Sequence, residues 1–253
     1  RIDGPDHVIA LRWAMLAVLT LLMSAAFGAM AADLQPSAQR LAVTGIVALL
    51  ALLFWPGSAA TRRQTVLRIA GWSLAAAGTA AVVLRTFGAA GQPLAATLGS
   101  CAMLLALLLL MQALAAMLEM YLRGPSRPAD EAREAAGFVV TILLALLGSL
   151  PLWFGPASEL LSVRLDWVVD AALAVSPLTH LAVASGNDLL HNEWLYQHSN
   201  LAALPVSYPD LTPLVWSYAT ACSLLALGAL AAGRRRRATN DPAPTDLTQE
   251  KPR

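Results

Sequence analysis

The chain has 253 residues, of which 57% are hydrophobic and only 13% charged, with a net charge of +1. A soluble domain carries roughly a quarter of its residues as charges, and a water-soluble chain of this length cannot hide so much apolar surface. Lipid is the solvent that fits, and the near-neutral balance gives no electrostatic footprint for a nucleic-acid partner.

A bilayer core of about 30 Å needs about 20 apolar residues in helix. Backbone groups cannot stay unpaired in hydrocarbon, so each such stretch is expected to be helical. Six stretches qualify in chain order: Trp13 to Ala32, Leu41 to Pro56, Ile69 to Leu84, Pro93 to Leu118, Ala135 to Ser158, and Leu211 to Gly233. The second and third are short. Arg40 extends the second if its side chain snorkels outward, and Arg68 and Arg85 flank the third. Pro151 is expected to kink the fifth. The small residues from Gly71 to Gly78 suit close helix approach within a bundle. The expected fold is an all-α polytopic membrane bundle of six transmembrane helices.

The first stretch also admits another reading. Arg12, an apolar run and then Ala29-Met30-Ala31 resemble a cleavable secretory signal, although the run is long for one. Cleavage would leave the other five helices as they are. The chain begins at Arg1 rather than Met, so sequence is expected to precede it.

Arginine placement orients the bundle. Lys251 is the only lysine. With both ends in the cytoplasm, every basic residue except Arg40, Arg85 and Arg164 falls on the cytoplasmic side, as the positive-inside rule requires. Residues 1–233 then form the transmembrane domain. Residues 234–253 form a tail with the basic anchor Arg234 to Arg237 and a disordered Pro/Asp/Thr-rich end.

The segment 159–210 falls outside by this count. Its part from Trp167 to Ser185 is apolar, yet it holds Asp170, the breaking pair Ser176-Pro177, and His180. A span there would put Arg234 to Arg237 outside. The pattern predicts two short half-helices joined at Ser176-Pro177, a re-entrant hairpin covering Trp167 to Leu190. Ser176 is placed to cap the second half-helix, with Pro177 in its first turn. The polar, aromatic stretch that follows reads as a compact outer loop.

Candidate chemistry is sparse. His180, His191, His198, Asp188 and Glu193 could offer zinc ligands, but no zincin spacing and no cysteine supports them. Interfacial polarity accounts for them equally well, since Trp194, Tyr196, Tyr208 and Trp216 mark headgroup level. Ser185-Gly186 lacks the intramembrane histidine that a serine protease needs. Cys101 and Cys222 sit in apolar runs and read as small core residues. Gln112, in mid-span, is either a pathway residue or a hydrogen-bonding contact between helices. Glu119 fits an interfacial or ion-paired place near Arg123. The spans carry no acid or base at depth for ion coupling. A P-loop needs a lysine this chain lacks in any ordered segment, so no cofactor is expected here and any ATP binds to a partner.

Six spans with both ends inside, and a semi-apolar outer hairpin after the fifth, resemble the ABC-2 type permease family. The local match runs from Trp167-Val168-Val169 to Ser176-Pro177-Leu178-Thr179-His180-Leu181, where the family often carries Asn-Pro-Leu-Thr/Ser-Tyr. Ser176 and His180 depart from that pattern. The resemblance covers the whole chain in topology and about ten residues in motif. It implies the permease subunit of an exporter in the bacterial inner membrane, working as a homo- or heterodimer with ATP-binding cassette subunits. The loop Gly57 to Arg68, with Arg62, Arg63, Gln64 and Arg68, would then correspond to the family's coupling helix. Arg127, in the loop Arg123 to Glu134, would be a second contact. Two other readings stand beside it: a membrane-embedded enzyme or assembly factor using the outer His/Asp/Glu loop, and a scaffold subunit of a membrane complex.

Overall fold

A computed structural model describes residues 11, 14, 15, 18, 19, 22, 35–59, 61–88, 93–123, 128–161, 166–189 and 208–240. The helices with both ends among the described residues are, in order, α1 (Pro36–Leu53), α2 (Arg62–Phe87), α3 (Leu94–Leu122), α4 (Ala129–Leu161), α5 (Asp166–Val175), α6 (Pro177–Ser185) and α7 (Leu211–Asn240). There is no strand among the described residues.

Among the described residues, four helical segments are long and apolar enough to cross a membrane: Pro36–Leu53, Arg63–Thr86, Leu94–Leu122 and Ala129–Pro151. Leu211–Leu225 is a shorter apolar stretch, and its helix continues to Asn240. This composition fits a membrane-embedded bundle, because helices satisfy their own backbone groups where water is absent. Of the first apolar stretch, only Ala14, Met15, Val18, Leu19 and Leu22 are described, all helical, as is Leu11 just before it. Leu11 and Met15 share a cavity with Leu53, Phe54 and Phe138. The rest of residues 13–32, the outer-loop residues 190–207 and the tail 241–253 lie outside the described residues.

The helix bounds differ from the expected spans in an instructive way. α1 starts at Pro36, whose missing N–H costs nothing in a first turn, and it stops at Leu53, short of Pro56. α2 begins at Arg62, where Thr61 Oγ1 accepts from Gln64 N at 3.2 Å. The arginine-bearing segment Gly57 to Arg68, which the resemblance matches to a coupling helix, comprises the chain before α2 and the first two turns of α2 itself. α4 runs unbroken past Pro151, and α7 carries Arg234 to Arg237 in helical backbone.

α3 is the hub and packs against α1, α2, α4, α6 and α7. The core is aliphatic: Val47, Leu52, Leu104, Leu107 and Leu108 are fully buried with Ala76 and Ala80. In α2 the buried column is Trp72, Ala76 and Ala80, flanked by Ser73 and Ala77. Of the small residues from Gly71 to Gly78, Ser73, Ala76 and Ala77 pack into the bundle, while Gly71 and Gly78 are exposed and a Cβ at either meets nothing within 4 Å among the described residues. The indole of Trp72 decides the face, since its Nε1–H donates to Ala51 O at 2.8 Å across the α1–α2 contact. A buried indole needs such a partner.

Candidate functional site

Two polar clusters lie at opposite ends of the bundle. The first surrounds α6. Ser176 is extended, and its Oγ accepts from Thr179 N at 3.4 Å. Its carbonyl accepts from His180 N at 3.2 Å, while Pro177 has no N–H to satisfy. The same Oγ reaches Gly148 O of α4 at 3.4 Å, so the capping residue also ties α6 to the bundle.

The other end of α6 is fully accounted for. The last four carbonyls of a helix have no partner within it. Here Asn187 N donates to Ala182 O at 2.9 Å and Gly186 N to Val183 O at 3.0 Å. That pair of bonds forms the Schellman closure, with Gly186 at φ 64°, a conformation open to glycine. Ser100 Oγ of α3 donates to Ala184 O at 3.2 Å. Arg40 of α1 donates to Ser185 O from Nε at 3.1 Å and from Nη2 at 2.7 Å. Arg40 was expected to snorkel outward. It is instead only 7% exposed, because the negative end of α6 supplies an acceptor inside the bundle.

His180 joins three helices. It is 4% exposed, with Nε2 3.0 Å from Ala174 O of α5 and Nδ1 2.8 Å from Tyr218 Oη of α7. A carbonyl only accepts, so Nε2 carries the proton and Nδ1 of the neutral ring accepts from the Tyr218 hydroxyl. The rings meet edge to face, 5.6 Å apart at 89°. Tyr218→Phe keeps the ring packing and removes the donor. It should cost about 1–2 kcal/mol, read as a lower unfolding midpoint in detergent. Ser176→Ala should cost about 1 kcal/mol through loss of the cap, read the same way.

The second cluster holds the chain between α1 and α2. Ser58 N donates to Glu119 Oε2 at 2.7 Å. Arg123 Nη2 pairs with Glu119 Oε1 at 2.5 Å and donates to Ser58 Oγ at 2.9 Å. Arg68 Nη1 reaches Gly57 O at 3.4 Å. Thr65 Oγ1 accepts from Ala59 N at 2.9 Å. Gly57 has φ 83°, a conformation open to glycine, and a Cβ there would run into the side chain of Arg133 on α4, which would have to shift. Arg63 and Gln64 are exposed on the first turn of α2. The side chains of Arg62 and Trp167 and all of Arg127 lie outside the described residues. The structure thus gathers Arg63, Gln64 and Arg68 at this end and Ser176, Pro177, Leu178, Thr179 and His180 around α6.

Gln112 stands apart. It is fully buried on α3, and among the described residues neither Nε2 nor Oε1 has a hydrogen-bond partner. Of the outer acids and histidines, His180 and Asp188 are described. They face different partners, Asp188 Oδ1 accepting from Tyr208 Oη at 2.8 Å, and the described residues contain no cluster of three metal-ligating side chains. His191, His198 and Glu193 lie outside the described residues.

No family model, curated protein or solved structure matches this chain.

Proposed function

We propose that this chain is the membrane-spanning permease subunit of an ATP-driven exporter of the ABC-2 kind. It works in the inner membrane as a homo- or heterodimer, with ATP bound by a cassette subunit. The observation that carries the reading is the short helix α6. The Ser176-Pro177-Leu178-Thr179-His180 stretch on which the family resemblance rests is the same stretch that caps α6 and docks it into the bundle. A segment that is broken, apolar and tied to α1, α3, α4 and α7 suits a plug better than a free loop.

On this reading there are six spans, and α5 and α6 form the re-entrant hairpin that closes the outer end. The end bearing Arg63, Arg68, Arg123 and Arg133 faces the cytoplasm by the positive-inside rule, as do both termini. The exposed Arg63 and Gln64 on α2 meet the ATP-binding partner, with Arg68 bracing the loop behind them.

Purification from native membranes in mild detergent tests this. A P-loop ATPase should co-purify, and Arg63→Glu should release it. The chain by itself should hydrolyse no ATP. A homogeneous chain without an ATPase partner, or one that turns over ATP alone, defeats the reading. Topology is checked separately with single cysteines in a background lacking Cys101 and Cys222. Ser199→Cys should react with an impermeant reagent from outside, whereas Ser126→Cys and Ala238→Cys should not. Labelling of Ala238→Cys from outside contradicts the six-span arrangement.

A further inference from the structure

Ser73 of α2 and Gln112 of α3 are fully buried polar side chains. Among the described residues, neither Ser73 Oγ nor either polar atom of the Gln112 amide has a hydrogen-bond partner. A helical hydroxyl ordinarily falls back on a carbonyl one turn before it. Thr79 and Thr86 do so on the same helix, donating to Ala75 O at 2.8 Å and to Val82 O at 2.9 Å. Ser73 makes no such bond, so its hydroxyl remains open to a partner outside α2. Groups of this kind are costly to bury unpaired, most of all where no bulk water reaches them.

Helix register brings the two together. Residues 88–93 join α2 to α3, and the two helices pack as an antiparallel pair. At the far end of the pair, Glu119 accepts from Ser58 N just ahead of α2. Counted back from Phe87 and forward from Leu94, Ser73 is level with Leu108, one turn from Gln112. Side chains slant toward the start of their own helix, so in this pair Ser73 and Gln112 slant toward each other. The faces agree. Trp72 turns to α1, which leaves the buried column of Ser73, Ala77, Ala80 and Leu84 beside it for α3. On α3, Gln112 is in phase with Leu108 and Glu119 on the α2 side, whereas Ser100 faces α6.

We propose that Ser73 and Gln112 form an internal water site between α2 and α3, in which one water is shared by Ser73 Oγ and the Gln112 amide. The two side chains do not bond each other directly, and a water bridges polar groups too far apart for a direct bond. The amide and the hydroxyl each offer both a donor and an acceptor, and a buried water makes about three bonds to such groups. Ala76 and Ala77 present only methyl groups beside Ser73. The inference does not depend on the export reading.

The test uses the full chain in lipid vesicles, isotope-labelled at its glutamine side-chain nitrogens and followed by solid-state NMR. Magnetisation from water protons should reach the Gln112 side-chain nitrogen, whose signal is identified by its loss in Gln112→Leu. Ser73→Val removes the hydroxyl and fills the space with methyl groups, so it should lower that transfer several-fold. Ser73→Ala, the better helix former, serves as the second variant if Ser73→Val misfolds, and it too should lower the transfer. Gln64, exposed on α2, should give the same water signal in every form. No transfer to Gln112 in the wild type overturns the proposal, because the amide then meets no water. So does transfer that is unchanged in the Ser73 variant that folds, because the water then does not touch Ser73.

Discussion

Arg40→Leu is expected to open the carboxyl end of α6 by about 2 kcal/mol, the cost of a buried carbonyl left without a donor. Ser185 O takes two bonds from the Arg40 guanidinium, and no substitution can remove the backbone carbonyl itself. The loss is offset in part because a buried guanidinium no longer has to be desolvated. Hydrogen exchange resolves the effect. Peptides covering residues 177–189 should exchange roughly thirtyfold faster, while those from the α2–α3 contact should not change. Arg40→Lys should fall between, since an ammonium lacks the planar fork that supplies two donors to one oxygen. Equal exchange in wild type and Arg40→Leu would mean that Arg40 is not what holds α6.

Arg40 also marks where the sequence was legible and where it was not. The apolar stretches were visible because hydrocarbon demands long uninterrupted helices, and the break at Ser176-Pro177 was visible because its residue types have local consequences. The role of Arg40 depends on a partner 145 residues away, which no local pattern reveals. One signal was present. Arg40 is in phase with Thr44, Ala48 and Leu52, at four-residue steps along the buried face of α1. A charged residue in that column must find an acceptor inside. In the stretch Gly71 to Gly78 the small residues Ser73, Ala76 and Ala77 pack inside the bundle, whereas the two glycines are exposed. Small residues permit close approach but do not demand it, whereas the indole of Trp72 does demand a partner and so set the packed face. At Gln112 the sequence marked a buried polar group, and its amide has no hydrogen-bond partner among the described residues.

The loop end of the bundle is held by Glu119, and Glu119→Ala is expected to cost about 3 kcal/mol. Glu119 is 1% exposed, and two groups depend on it. Ser58 N–H donates to Oε2, and the Arg123 guanidinium pairs with Oε1. Truncation leaves the amide without its acceptor, at about 1–3 kcal/mol, and leaves Arg123 without its counter-charge. The arginine is 40% exposed in its side chain, so water takes over much of its solvation and the ion pair adds little of its own. The amide therefore dominates. This ordering predicts two further outcomes. Glu119→Gln keeps an oxygen for Ser58 N–H and should lose only about 1 kcal/mol. Arg123→Ala should also lose about 1 kcal/mol, although it breaks the same ion pair. Unfolding midpoints of the three variants, with proteolysis across residues 55–61 as a local readout, separate the contributions. If Arg123→Ala proves as damaging as Glu119→Ala, the charge pair rather than the backbone amide anchors the loop that joins α1 to α2.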